Sequence, residues 1–98
     1  MYVIREVLNC KPGKVRQMVE KFRRISTALK EMGQEPLRVL TDVTGDFNRV
    51  VLEIEAQDFG DFEARMRQYR SDEAFRDKMK GYTDLWTTGH REILQVAE

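Results

Sequence analysis

The chain has one cysteine, one histidine, one tryptophan and two prolines in 98 residues. A lone cysteine excludes an intrachain disulfide framework, and a lone histidine beside it excludes the usual zinc ligand sets. Net charge is missing as well, because 17 Lys+Arg are offset by 17 Asp+Glu. A chain-wide basic footprint for nucleic acid is therefore absent. So is the charge excess that keeps a chain disordered, since 41% of the residues are hydrophobic. The longest apolar runs, Met1–Ile4 and Val50–Leu52, are four and three residues, against roughly 20 for a membrane span. Arg5 and Glu6 break the first of them, so no signal peptide and no membrane span are expected. A cytoplasmic protein with a reduced Cys10 follows as the expectation. No phosphate loop, dinucleotide fingerprint or nucleophile elbow occurs, and Asp58-Phe59-Gly60 spells the kinase triplet without its companions. No motif dictates a reaction, and none calls for a cofactor or a metal.

What the chain does have is periodicity. Residues 2–9 are rich in β-branched and aromatic types, with Val3 and Val7 on one face and Tyr2, Ile4 and Leu8 on the other. That predicts a strand covered on both sides. Lys11-Pro12-Gly13 leads into a helix whose apolar residues are Val15, Met18, Val19, Phe22, Ile25, Leu29 and Met32. Gly33 is placed to cap it, and Pro36 prevents its continuation. Leu37–Val43 and Arg49–Ala56 read as a hairpin around Thr44-Gly45-Asp46-Phe47-Asn48. Its second strand presents Val50, Leu52, Ile54 and Ala56 on one face. Asp58 can cap a helix carrying Phe59, Phe62, Met66 and Tyr69, and Ser71-Asp72 restarts one with Phe75, Met79, Tyr82 and Trp86. Gly81 lies inside that second run, where a bend is expected. Gly89 is placed to end it, and His90–Ala97 then forms the last strand. The order β-α-β-β-α-α-β predicts one α+β domain, residues 1–98, with a ferredoxin-like four-stranded antiparallel sheet.

Such a sheet has helices on one face only. The other face still carries apolar residues from several strands, and a twofold pairing of two sheets would bury them. A homodimer is the expectation.

Several stretches carry a resemblance: Lys11-Pro12-Gly13-Lys14, Asp61-Phe62-Glu63, Ser71-Asp72-Glu73 with Phe75, and Gly89-His90-Arg91-Glu92-Ile93-Leu94. Together with the element order, they make the chain similar to the NIPSNAP-like members of the dimeric α+β barrel superfamily. These are related to cofactor-free monooxygenases of antibiotic biosynthesis. The resemblance implies a homodimer whose sheets pack face to face, with a small pocket between helices and sheet in each subunit. The family's own molecular role is poorly defined, so the resemblance supplies no reaction. Haem-degrading relatives use an Asn on the first strand with a Trp and a His on later helices. Asn9, Trp86 and His90 echo those types, but His90 should begin the last strand and Trp86 should end the helix, so the positions do not match.

Candidate site residues follow from scarcity and placement. Tyr69, Tyr82 and Trp86 form an aromatic stripe, either core or the wall of a pocket for a small apolar or aromatic molecule. His90, the single histidine, is the candidate proton acceptor near neutral pH, and Glu92 shares its face of the strand. Arg5 either stabilises an anionic substrate or neutralises Glu53. Glu53 and Glu55 are two apart on a strand, roughly 6.6–6.8 Å along the chain. That spacing suits a pair of catalytic carboxylates, but cross-strand pairing with Arg5 is the simpler reading. Residues 11–32 hold seven basic and two acidic side chains, while residues 42–73 hold nine acidic and four basic. This is either a basic binding surface or, the simpler reading, a solvated helix face answering the acidic segment or a partner chain. Three functions from different classes stay open: a small-molecule binding protein, a cofactor-free monooxygenase-like enzyme, and a non-catalytic stress-response or interaction module.

Overall fold

The long apolar stripe of the first helix organises the molecule. In a computed structural model describing residues 1–97, β1 (Tyr2–Cys10) is followed by α1 (Val15–Glu31). Met18, Phe22, Ile25 and Leu29 are the buried residues of α1, one turn apart, as the stripe requires. The helix ends where the sequence indicates. The Gln34 amide donates to the Leu29 carbonyl and the Gly33 amide to that of Lys30, a Schellman closure of the last turn.

The chain then forms β2 (Arg38–Thr41), β3 (Arg49–Ala56), α2 (Phe59–Ser71), α3 (Glu73–Met79), a short 3₁₀ turn (Tyr82–Asp84) and β4 (Trp86–Gln95). The sheet order is β2-β3-β1-β4, and every pair is antiparallel. This is the expected ferredoxin-like α+β arrangement. Val50, Leu52, Ile54 and Ala56 face the helices and are buried. Leu8, Cys10, Val50 and Leu52 meet the α1 stripe, and Ile4 and Ile54 meet Phe62 of α2. Burying such side chains contributes about 1.5–3 kcal/mol each relative to leaving them exposed.

Both later helices are capped as their sequences indicate. The Asp58 carboxylate accepts from the Gly60 amide at 2.7 Å, and that of Asp72 accepts from the Phe75 amide at 2.8 Å. One satisfied amide at such a terminus is worth about 1 kcal/mol.

The last third of the chain departs from the periodic reading. The final helix stops at Met79 and does not run on to Gly89. Gly81 sits at φ +83°, a left-handed position that breaks the helix outright. Trp86, Thr87 and Thr88 are β-favouring residues, and they open β4 at Trp86. Trp86 is therefore a strand residue, Gly89 lies inside the strand opposite Leu8, and His90 is mid-strand opposite Val7. The spacing of Tyr82 and Trp86 came from a 3₁₀ turn followed by a strand. β2 is also shorter than expected, four residues from Arg38 to Thr41.

Among the described residues, no helix is long and apolar enough to cross a membrane. The sheet face away from the helices is left open.

Candidate functional site

Alternation along the strands divides the candidate residues between two sides of the sheet. Residues directly opposite in an antiparallel pair share a face. Ile4, Glu6, Leu8, Gly89 and Arg91 therefore point toward the helices, and Arg5, Val7, His90 and Glu92 point away.

On the helix side, a cleft of about 660 Å³ lies between the sheet and the three helices. Ile4, Leu52 and Ile54 form its floor, while Phe62, Met66 and Tyr69 of α2 form one wall. Tyr82 lines it from the 3₁₀ turn, edge-on to Phe22 with ring centroids 6.2 Å apart. Trp86 does not line the cleft. It packs behind Tyr82, ring centroids 6.1 Å apart, as part of the core. Tyr69 stacks on Phe75 at 4.9 Å and is only 3% exposed. Its hydroxyl is buried without a hydrogen-bond partner among the described residues, and so is the indole nitrogen of Trp86. A buried hydroxyl left unpaired costs about 1–3 kcal/mol. Burial pushes the Tyr69 phenol above its ordinary 10.0, with the positive charge of Arg65 working weakly the other way. At neutral pH it is a protonated donor.

The cleft also has an ion pair. Glu6 and Arg91 are in register across β1 and β4, and the Arg91 Nε and Nη2 atoms both donate to Glu6 Oε1. The guanidinium carbon of Arg91 lies 5.9 Å from the Phe62 ring centroid, within cation–π range. Sequence reasoning passed over both residues. The available signal was Glu6 itself, a charge in a face otherwise made of Tyr2, Ile4 and Leu8.

Arg5 and His90, placed beside the aromatic wall on sequence grounds, lie on the opposite face of the sheet. There Arg5 Nε is 3.5 Å from Glu53 Oε2, and Arg5 Nη1 donates to Glu92 Oε2 at 3.1 Å. Arg38 reaches Glu53 at 3.5 Å, and His90 Nε2 is 3.2 Å from Glu92 Oε1. Four residues thus form one chain of alternating charges, Arg38–Glu53–Arg5–Glu92, and the His90 ring lies within hydrogen-bond distance of Glu92 at its end. Glu53 is held between two arginines, which is the cross-strand pairing reading and leaves no carboxylate pair with Glu55. The site residues named from sequence are therefore not one constellation. Tyr69 and Tyr82 meet at the cleft, Trp86 supports Tyr82, and His90 and Arg5 belong to the open face.

No protein-family model matches the chain, and no curated protein does either. Solved structures do. A NIPSNAP domain protein from Burkholderia xenovorans superposes with a TM-score of 0.81 at 16% identity, over 99% of this chain and 95% of its own. A NIPSNAP family protein from Agrobacterium tumefaciens gives 0.85 at 14% identity, over 99% and 93%. An antibiotic biosynthesis monooxygenase-like protein from Nitrosomonas europaea gives 0.74 at 18% identity, over the whole of both chains. The chain shares their fold from end to end.

Proposed function

We propose that the protein binds a small apolar or aromatic molecule in the cleft between helices and sheet, and that it works as a homodimer joined through the open sheet faces. The observation that carries the binding reading is the cleft itself: about 660 Å³, a size typical of ligand sites, and mostly apolar on floor and walls apart from the Glu6–Arg91 pair. A protein whose only task was structural would be expected to fill that space with side chains.

The dimer reading rests on the open face. Val3, Leu40 and Leu94 lie there around the charged chain, and Leu94 is 48% exposed in the single subunit. A cytoplasmic setting fits the single buried thiol, Cys10. A cofactor-free monooxygenase would need a base facing the substrate. The cleft's one carboxylate, Glu6, is engaged by Arg91, and His90 is across the sheet, so binding without catalysis is the reading we prefer.

The test is a titration of an aromatic ligand panel, read by intrinsic fluorescence and thermal shift. Tyr82→Ala should weaken whatever binds, and His90→Ala should not. A panel that leaves fluorescence and melting temperature unmoved would overturn the binding reading. Light scattering that returns the monomer mass at micromolar concentration would overturn the dimer.

A further inference from the structure

The rim of the cleft is charged in one direction. Arg70, Arg76, Lys80 and Arg91 line it, against a single carboxylate, Glu6. That excess of three positive charges stands on a chain whose total charge is zero. Glu6 is already bonded to Arg91, and Arg70, Arg76 and Lys80 pair with no carboxylate among the described residues. Arg91 keeps capacity to spare. Nε and Nη2 serve Glu6 Oε1, while Nη1 has no partner among the described residues. A guanidinium has five donors in a planar fork suited to a carboxylate. Glu6 and the Phe62 ring hold this one in place. Below the rim, the Tyr69 phenol is buried and unpartnered, a second donor beside an otherwise apolar space.

We infer that the cleft's ligand is an organic acid: an apolar body resting on Ile4, Leu52 and Ile54, with one carboxylate held at the rim by Arg91, Arg76 and Lys80. The inference rests on the proposed binding role of the cleft and narrows it to a ligand class. A cationic amphiphile would meet three uncompensated positive charges. A neutral one would leave both the rim charges and Nη1 of Arg91 unused. Because the rim is exposed, the attraction is screened by salt, and each pair is worth little alone.

Pyrenebutyrate and its alcohol, pyrenebutanol, share one apolar body and differ in the headgroup. Titrated in parallel at low salt, the acid should bind about tenfold more tightly, the order expected of two or three exposed pairs acting together. The preference should shrink as salt is raised, and it should collapse in the surface double variant Arg76→Gln/Lys80→Gln. Circular dichroism checks that this variant is folded. Equal affinity for the two compounds would overturn the inference and leave the binding reading standing. A preference unchanged in the double variant would also overturn it, because the headgroup would then lie elsewhere. Binding of neither compound would overturn both.

Discussion

Replacing Gly89 by alanine should destabilise the protein, although a glycine-to-alanine change inside a strand ordinarily gains about 0.5–1 kcal/mol. Gly89 stands opposite Leu8 on the helix side of the sheet. A Cβ there would meet Leu8 Cδ2 at 2.8 Å, the Val7 carbonyl oxygen at 3.1 Å and Trp86 Cζ3 at 3.6 Å. Carbon atoms settle at about 3.5–4.0 Å, so the Leu8 methyl is too close by most of an ångström. Leu8 is 5% exposed and packed in the core with Met18 and Val50. It has to leave its rotamer or push its neighbours. Overpacking of this kind costs about 1–3 kcal/mol. Less the usual gain, the net loss is about 1 kcal/mol, or about 4–8 °C of melting temperature for a chain of this length. Thermal melts followed by circular dichroism would measure it. The cause is separable from the effect by a double-mutant cycle. In a Leu8→Ala background the opposing methyl is gone, and Gly89→Ala should then cost little or turn favourable, a coupling of about 1 kcal/mol. A Gly89→Ala protein as stable as its parent, or a coupling near zero, would refute the steric argument.

Three further outcomes follow from the packing and the titrating groups. Leu29→Ala, at a position 1% exposed in the α1 stripe, should cost about 2–5 kcal/mol in urea unfolding; a loss under 1 kcal/mol would mean that the stripe is not core. Asp72→Ala should remove about 1 kcal/mol by freeing the Phe75 amide, whereas Asp72→Asn should stay close to the parent; equal losses would show that the cap is not the cause. Burial raises the Cys10 thiol above its ordinary 9.0 and the Tyr69 phenol above 10.0. The unfolded chain then releases these protons first, so stability is intact below about pH 9 and falls as pH rises beyond it. Melts taken across that range should show the decline, and a Tyr69→Phe protein that declines as steeply as its parent would remove the phenol from the account.

The sequence was most legible where one physical period ran long. α1 carried its stripe over five turns with a glycine stop, and β3 alternated through its full length, so both were found at nearly their true bounds. The caps at Asp58 and Asp72 were legible because capping is chemistry local to a few residues. Past Met79, the same rules pointed the wrong way. Tyr82 and Trp86 continued a helical spacing by coincidence, and Gly89 stood where a helix stop was wanted. At the site, Phe62, Met66 and Tyr69 were legible as a stripe on α2, whereas Tyr82 and Trp86, expected in the same aromatic wall, lie on the 3₁₀ turn and β4, and Trp86 does not line the cleft. The ion pair of Glu6 and Arg91 was not legible, since its members are 85 positions apart and meet only through strand register. His90 and Glu92 were rightly placed on one face, but β4 is polar on both sides. Its alternation therefore carries no mark of which face the helices cover.

The two ion pairs across β1 and β4 also bear on how the chain avoids mispairing as it folds. In the native alignment Arg5 faces Glu92 and Glu6 faces Arg91, one pair on each side of the sheet. Slide β4 by one residue in one direction and Arg5 comes to face Arg91. Slide it in the other and Glu6 comes to face Glu92. Either slip sets like charges directly opposite, which is unfavourable, and it turns one strand's buried set toward the wrong side. Four consecutive-in-pairs residues thus act as a two-way proofreading device. They reject both nearest errors in joining the last strand to the first, the closure that brings the two ends of the chain together.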